Sequence, residues 1–395
     1  MSALGIMDLF CGTGGFSYGF TKYKGMFETV CGIDILKEPA MTAKLNHESA
    51  IIINEDIRKI RPSEVKATLD KNNQKVDIII GGPPCQGFSS IRPFRSSQED
   101  DPRNNLFEQF ALFVNYFRPK AFVLENVVGL ATYKNGQTIE VIQECFLNLG
   151  YDTEWMILNS ANFGVPQKRE RLIMIGVEKG VAIKFPKPTH YFNGKTIGYK
   201  DKSKMLLVEH NLFDNHLPNA LTVMDAISDL PYLNSGEKAI EYDKPPLNKY
   251  QAERRNGSSS LLLHESTNHS PKMLEIIQHS GSNIDCIPKH LITSGFSSSY
   301  SRLEANEPAV TITVNFVHPA SNKCIHPYQN RALTPREGAR IQSFDDTFQF
   351  YGNRSQIVKQ IGNAVPPMLG KAIAESIAVM LGLEKEVQAI SSTPA

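Results

Sequence analysis

Several features that would assign a chain to a class at once are missing here. Across 395 residues no apolar run approaches the roughly 18–20 residues that cross a bilayer. The chain enters a strand-like run over residues 3–10 almost immediately, without the basic start and cleavage site of a secretory signal. The six cysteines, Cys11, Cys31, Cys85, Cys145, Cys286 and Cys324, include no CxxC pair. A zinc site or a disulfide framework is therefore not expected, and a reducing cytoplasmic compartment fits. Net charge is only +1. That argues neither for nor against a nucleic-acid partner, because a neutral protein can still carry a local basic cleft. No internal repeat is visible, and the glycines near residue 12 lack the GxGxxG spacing of a nicotinamide site. With 41% hydrophobic and 21% charged residues, the composition is that of an ordinary globular protein, long enough for a large core and two domains.

The most informative stretch is GGPPCQGFSS, residues 81–90. It follows the apolar run 76–80. Two prolines each fix φ near −65° and donate no N–H. Flanking glycines allow a sharp turn and close approach of a ligand. A thiol held stiffly at the carboxyl end of a strand is how a nucleophile would be presented, so Cys85 is the candidate.

The first 180 residues alternate strand-like and helix-like segments. Strand-like runs lie at 3–10, 29–33, 49–53, 76–80 and 121–124, with a further one at 171–177. Helical patterns lie at 105–117 and 138–149. Alternation of this kind predicts an α/β fold with a doubly wound, mostly parallel sheet, in which ligands bind outside the strands' carboxyl ends. Those ends carry Gly12 and Gly14, Asp34, Asp56, Cys85 and Glu125. Asp34 could accept both ribose hydroxyls of an adenosyl group, and Asp56 its adenine amino group. From about residue 186 the chain turns irregular and rich in Pro, Asn, Ser, His and Gly. Short strands are expected at 261–264 and 309–314 and a helix at 271–278. From about 331 regularity returns, ending in an amphipathic stretch over 366–381. The expected division is 1–185 for the sheet, 186–325 for a smaller, irregular domain, and 326–395 packing back onto the first domain. Local basic clusters are Arg92, Arg95 and Arg103; Lys168, Arg169 and Arg171; Lys184 and Lys187; and Arg254 and Arg255.

The motifs occur in the order of a known family. DLFCGTGGF (8–16), GGPPCQGFSS (81–90), LEN (124–126), QKRER (167–171), RALTPREGARIQSF (331–344) and QIGNAVPP (360–367) together resemble the cytosine-5 DNA methyltransferases, of the compact restriction–modification type. The resemblance implies a Rossmann-like fold that binds S-adenosyl-L-methionine. Phe10 would stack near the adenine with Ile35 and Ile57 around it, beside Gly12, Gly14, Asp34 and Asp56. Asn363 would close this pocket from the far end of the chain, with Val365 nearby. The family often has Glu where this chain has Asp34.

The chemistry follows from the substrate. Carbon-5 of cytosine is a poor nucleophile, and attack of a thiolate on carbon-6 makes it enamine-like. Cys85 would attack, and Glu125 would hydrogen-bond N3 of the ring. Arg171 would reach O2, and Arg169 would help order the site. No residue is an obvious base for the carbon-5 proton, which leaves water. The base must be extruded from the duplex. Residues 86–104 suit a loop that closes over it, with Gln86 and Ser89 nearest the gap and Arg92 and Arg103 on phosphates. Thr311, in a short motif at the end of the second domain, would contact the backbone near the flipped base. Double-stranded DNA is the expected partner, with a companion restriction endonuclease acting on the same site and the enzyme itself a monomer. A transfer-RNA cytosine methyltransferase on the same scaffold is the alternative. The sizeable segment 186–325 and the absence of a Cys-Phe-Thr triplet favour DNA.

Overall fold

The computed structural model describes residues 3–84, 105–194, 199, 201–208, 217–292 and 295–384. Seven strands form one sheet: β1 (Leu4–Leu9), β2 (Phe27–Asp34), β3 (Ile51–Asn54), β4 (Ile78–Gly81), β5 (Ala121–Asn126), β6 (Tyr151–Asn159) and, after the two-residue β7 (Gln167–Lys168), β8 (Glu170–Glu178). Their order is β3-β2-β1-β4-β5-β8-β6. The first five neighbours run parallel, and β8 is antiparallel to both β5 and β6. This is the doubly wound, mostly parallel sheet expected from the alternation.

The central strands are apolar on both faces because helices cover both. Along β1, β4 and β5 the side chains alternate with period two. Met7, Leu9, Ile79, Phe122 and Leu124 enter one core, and Ile6, Ile78, Ile80, Ala121 and Val123 enter the other. The first core is filled from α3 (Pro62–Lys71), α4 (Asn105–Phe117) and α6 (Gln137–Asn148). The second is filled from α1 (Gly15–Thr21) and α12 (Pro367–Met380), through Phe16 and Phe20 against Leu369, Ile373 and Ile377. These two helices cross at glycines: a Cβ on Gly19 would lie 2.1 Å from the Pro367 carbonyl oxygen. The C-terminal helix therefore belongs to the sheet.

A third core lies outside the sheet. It joins α7 (Val223–Ile227), Tyr250 of α8 (Lys249–Arg255), Leu303, Ile312 and Phe316 to α10 (Pro335–Ile341), Phe344, Phe348 and α11 (Arg354–Asn363). Residues 331–364 thus share a core with the irregular middle of the chain, while α12 packs on the sheet. A satellite cluster forms under α9 (Pro271–Gln278) from Ile276, Ile287 and Leu291.

Two expectations need correction. Residues 261–264 form no strand; isolated bridges Lys238–Glu265 and Glu241–Ser260 flank them instead. Edge strand β6 had no counterpart in the sequence reading. Asp152 and Glu154 interrupt its apolar residues, as suits a strand with one side open. Of 309–314, only Ala309–Val310 (β9) is a strand, pairing with β7.

The third core encloses a network of charges. Arg331, Arg336 and Arg340 are fully buried. Arg331 is bidentate on Glu337 (2.7 and 2.8 Å). Arg340 binds Asp346 (2.6 Å) and Asp229 (3.2 Å), and Arg336 binds Asp346 (3.1 Å). Arg255 pairs with Asp229 (2.8 Å) and Arg254 with Asp345 (3.1 Å). Arg254 and Arg255 are therefore neither a solvated face nor free to meet phosphates.

Candidate active site

The strand order decides which loops meet. Outward from β1, the connections run to β2 on one side and to β4 on the other, and the crevice at such a reversal is where doubly wound folds bind ligands. In a row at the carboxyl edge stand the ends of β2 (Asp34), β1 (Phe10 to Gly14), β4 (Gly82–Pro83–Pro84) and β5 (Glu125, Asn126).

The glycine turn is held from its neighbours. Gly12 and Gly14 have φ of 51° and 74°, a region that favours glycine. Phe10 shares it, with φ 60°, an outlier for an aromatic residue of the kind found where a backbone is held for a purpose. Asp34 Oδ2 accepts from the Gly12 N–H at 2.8 Å, and Oδ1 from the Leu36 N–H at 2.8 Å. Burial pushes the Asp34 carboxyl up from its ordinary range despite these donors. Each oxygen keeps a lone pair for a further donor. Beside it Ile35 is 61% and Leu36 57% exposed, apolar surface next to an acid. Ile57 lies in the core.

Asp56 is already engaged by a near neighbour. Both of its oxygens accept from the Arg58 guanidinium (2.9 and 3.0 Å from Nε), and Oδ1 also caps the Arg58 N–H (3.0 Å). An adenine amino group would have to share these acceptors. From the far end of the chain, the Val365 carbonyl oxygen abuts Gly15, 3.1 Å from where a Cβ would stand. Asn363 is exposed.

At the end of β5, Glu125 Oε1 is ion-paired with Arg171, 2.7 Å from its Nε. Arg171 reaches it from the antiparallel strand β8, and its Nη1 donates to the Glu170 carbonyl (2.8 Å). Glu125 Oε2 faces Gly82, where a Cβ would intrude to 2.9 Å. The next residue, Asn126, is buried and donates from Nδ2 to the Pro83 carbonyl at 2.9 Å. The Glu-Asn pair thus engages Arg171 with one side chain and ties down the Pro-Pro turn with the other. Cys85, Gln86, Ser89, Arg92, Arg95 and Arg103 lie outside the described residues. Among the other cysteines, burial raises the thiols of Cys11, Cys31, Cys145 and Cys324, Cys31 and Cys324 to about 12; such thiols are inert nucleophiles.

Arg169 does not join Glu125 in the same way. Only 2% exposed, it donates to the carbonyls of Ile312 (3.3 Å) and Asn363 (3.5 Å), and its Nε has no partner. Burial, and then the charge of Arg171, pull its guanidinium well below its ordinary value. Its neighbour Thr311 donates to the Lys168 carbonyl (2.9 Å), and Lys168 pairs with Glu307 (3.2 Å). Gln167, which sequence reasoning passed over, is fully buried. It bonds the Ile312 N–H (2.9 Å) and Gln342 (2.8 Å). The QKRER segment therefore joins the sheet to the third core.

The pattern of the C-5 cytosine-specific DNA methylases matches residues 4–379. The chain belongs to this family. It is 36% identical over 382 residues to the type II methyltransferase M1.HphI of Haemophilus parahaemolyticus, covering 96% of this chain and 87% of that protein. It is 35% identical over 400 residues to M.DdeI of Desulfomicrobium norvegicum, covering 95% and 88%. A prophage-encoded protein of E. coli, described as a DNA modification methyltransferase, superposes with a TM-score of 0.71 at 25% identity, covering 96% of this chain and all of that one. The Spodoptera frugiperda DNMT2 structure (TM-score 0.59, 15% identity, 96% of this chain and all of that one) shares the fold. Among the described residues of this methylase no helix is long and apolar enough to cross a membrane.

Proposed function

We propose that this methylase modifies carbon-5 of a cytosine in a specific double-stranded DNA site. S-adenosylmethionine would be the donor and Cys85 the nucleophile. One observation carries the reading: the glycine turn, the Pro-Pro turn and the Glu125–Arg171 pair stand at the carboxyl ends of adjoining strands. The cofactor fits what is there. Asp34 keeps acceptor capacity for the ribose hydroxyls, exposed Ile35 and the held Phe10 offer apolar contact, and the open glycine backbone admits the rest. When bound, S-adenosylmethionine supplies the electrophilic methyl group that carbon-5 takes.

The chain's own residues do the remainder. The Cys85 thiolate adds to carbon-6, and the ring electrons move toward N3 and O2. Glu125 hydrogen-bonds N3 and Arg171 meets O2, so that the pair already joined in the protein brackets the developing charge. Arg169, held between two backbone carbonyls, acts as a positioning residue. Water takes the carbon-5 proton, and the C6–S bond breaks to return the thiolate. Gln86 and Ser89 would fill the gap left by the extruded base, with Arg92, Arg103 and Thr311 along the DNA backbone. Residues 1–185 would hold cofactor and chemistry and 186–325 would read the DNA; 331–364 would support the reader, while α12 completes the sheet. The enzyme would act as a cytoplasmic, nucleoid-bound monomer protecting a site cut by a companion endonuclease.

A duplex carrying 5-fluorocytosine at the target cannot lose the carbon-5 substituent, so the adduct should persist through denaturation with wild type and vanish in Cys85→Ser. Absence of any adduct with active enzyme overturns the nucleophile. Preferred methylation of transfer RNA over DNA overturns the substrate.

A further inference from the structure

Three buried polar side chains lie under the glycine turn and take no part in the chemistry above: Asp8, Ser17 and His47. Ser17 and His47 converge on Gly14. The Gly14 carbonyl oxygen accepts from the Tyr18 N–H at 2.8 Å, as the first turn of α1 requires. It also lies 3.0 Å from His47 Nε2 and 3.1 Å from Ser17 Oγ. A carbonyl has two lone pairs, so one donor besides Tyr18 can be served well.

The donor is His47. An unprotonated Nε2 would point a lone pair at the Gly14 oxygen from 3.0 Å, which is repulsive, so Nε2 carries the proton. The Ser17 hydroxyl, 3.1 Å from the same oxygen, is also 3.4 Å from Nε2 and, unlike that ring nitrogen, can rotate its proton elsewhere. The arrangement that leaves no lone pairs facing runs from His47 Nε2–H to the Gly14 carbonyl, with the Ser17 hydroxyl beside it. The imidazole is fixed for the task. His47 caps α2 (Lys37–Asn46) with its N–H on the Ala43 carbonyl (3.0 Å), and its ring meets the Tyr18 ring edge-on at 6.2 Å. Its fit also requires glycine at 14, since a Cβ there would come within 2.7 Å of Nε2.

We propose that His47 is a positioning residue for the methyl-donor pocket, its Nε2–H clamping the left-handed Gly14 while Asp34 clamps Gly12. The segment from Asp34 to His47 then grips the turn at both ends: Asp34 takes the Gly12 N–H, and His47 the Gly14 carbonyl. This rests on the reading of that turn as the S-adenosylmethionine site.

The test is calorimetric titration of S-adenosylmethionine into the full-length protein, with steady-state kinetics on substrate DNA. His47→Phe keeps the ring's volume without the donor. It should weaken binding about tenfold, the effect of one lost hydrogen bond, and raise KM for the cofactor while kcat at saturation holds. His47→Gln, whose amide can donate, should recover most of the affinity. Wild-type affinity in His47→Phe, or no rescue by His47→Gln, overturns the clamp. The imidazole 15N shifts of wild type read the tautomer without a variant: Nε2–H is expected, and Nδ1–H overturns the assignment. If wild type itself binds no S-adenosylmethionine, the cofactor reading has failed, and not the clamp.

Discussion

Asp8→Asn separates the cost of a buried carboxyl from everything around it. Asp8 is 2% exposed at the end of β1, and its Oδ2 has no hydrogen-bond partner. Burial, only partly offset by the Ser17 hydrogen bonds, pushes its pKa from 3.8 up to about 7. A carboxyl that holds its proton more tightly when folded stabilises the fold below pH 4 relative to higher pH. That advantage is lost as pH rises toward 7. At roughly 1.4 kcal/mol per pH unit, the loss across this window is about 4 kcal/mol. Asparagine does not titrate. It keeps the acceptor for Ser17 but places an amide N–H2 where Oδ2 has no partner, a fixed cost of about 1–3 kcal/mol. The variant should therefore be less stable than wild type at pH 5 and as stable or more stable at pH 8. Urea unfolding of both proteins at pH 5, 6, 7 and 8 measures the difference, in which other titrating groups cancel. A difference that stays flat across pH would refute the buried, proton-holding Asp8.

Two further outcomes follow from the contacts. Asn126→Ala removes the bond to the Pro83 carbonyl that steadies the turn before Cys85; kcat should fall about a hundredfold with cofactor affinity held, as single-turnover kinetics would show, and an unchanged kcat would mean the turn is held by other contacts. Asp346→Ala strips the shared acceptor from buried Arg336 and Arg340. It should cost about 3–5 kcal/mol in thermal unfolding, where loss of a merely exposed pair would cost under about 1 kcal/mol.

Much of the site was legible because its residues sit at strand ends, where apolar runs stop and Gly, Pro or acid follows. Asp34, Glu125 and the glycine turn could be placed from that rule alone. The pairing of Asp56 with Arg58 could not be read, because any helix-opening Asp looks the same in sequence. Arg169 and Arg171 are two residues apart and chemically identical in sequence. Arg169 stands in the break between β7 and β8 and turns into the buried seam beside Ile312, whereas Arg171, within β8, meets Glu125. Arg254, Arg255 and the arginines of α10 look like solvent-facing charges, and their acids lie up to 111 positions away in the chain.

The sequence alone determined the α/β class, the family and the placing of the candidate residues at strand ends, because each rests on local periodicity or contiguous motifs. The tertiary structure decided the rest. Only the strand order could set β1 between β2 and β4, bring Arg171 back antiparallel to Glu125, and divide the C-terminal segment between two cores. Those outcomes depend on pairings between distant segments, and no local pattern encodes which distant partner a buried group will meet.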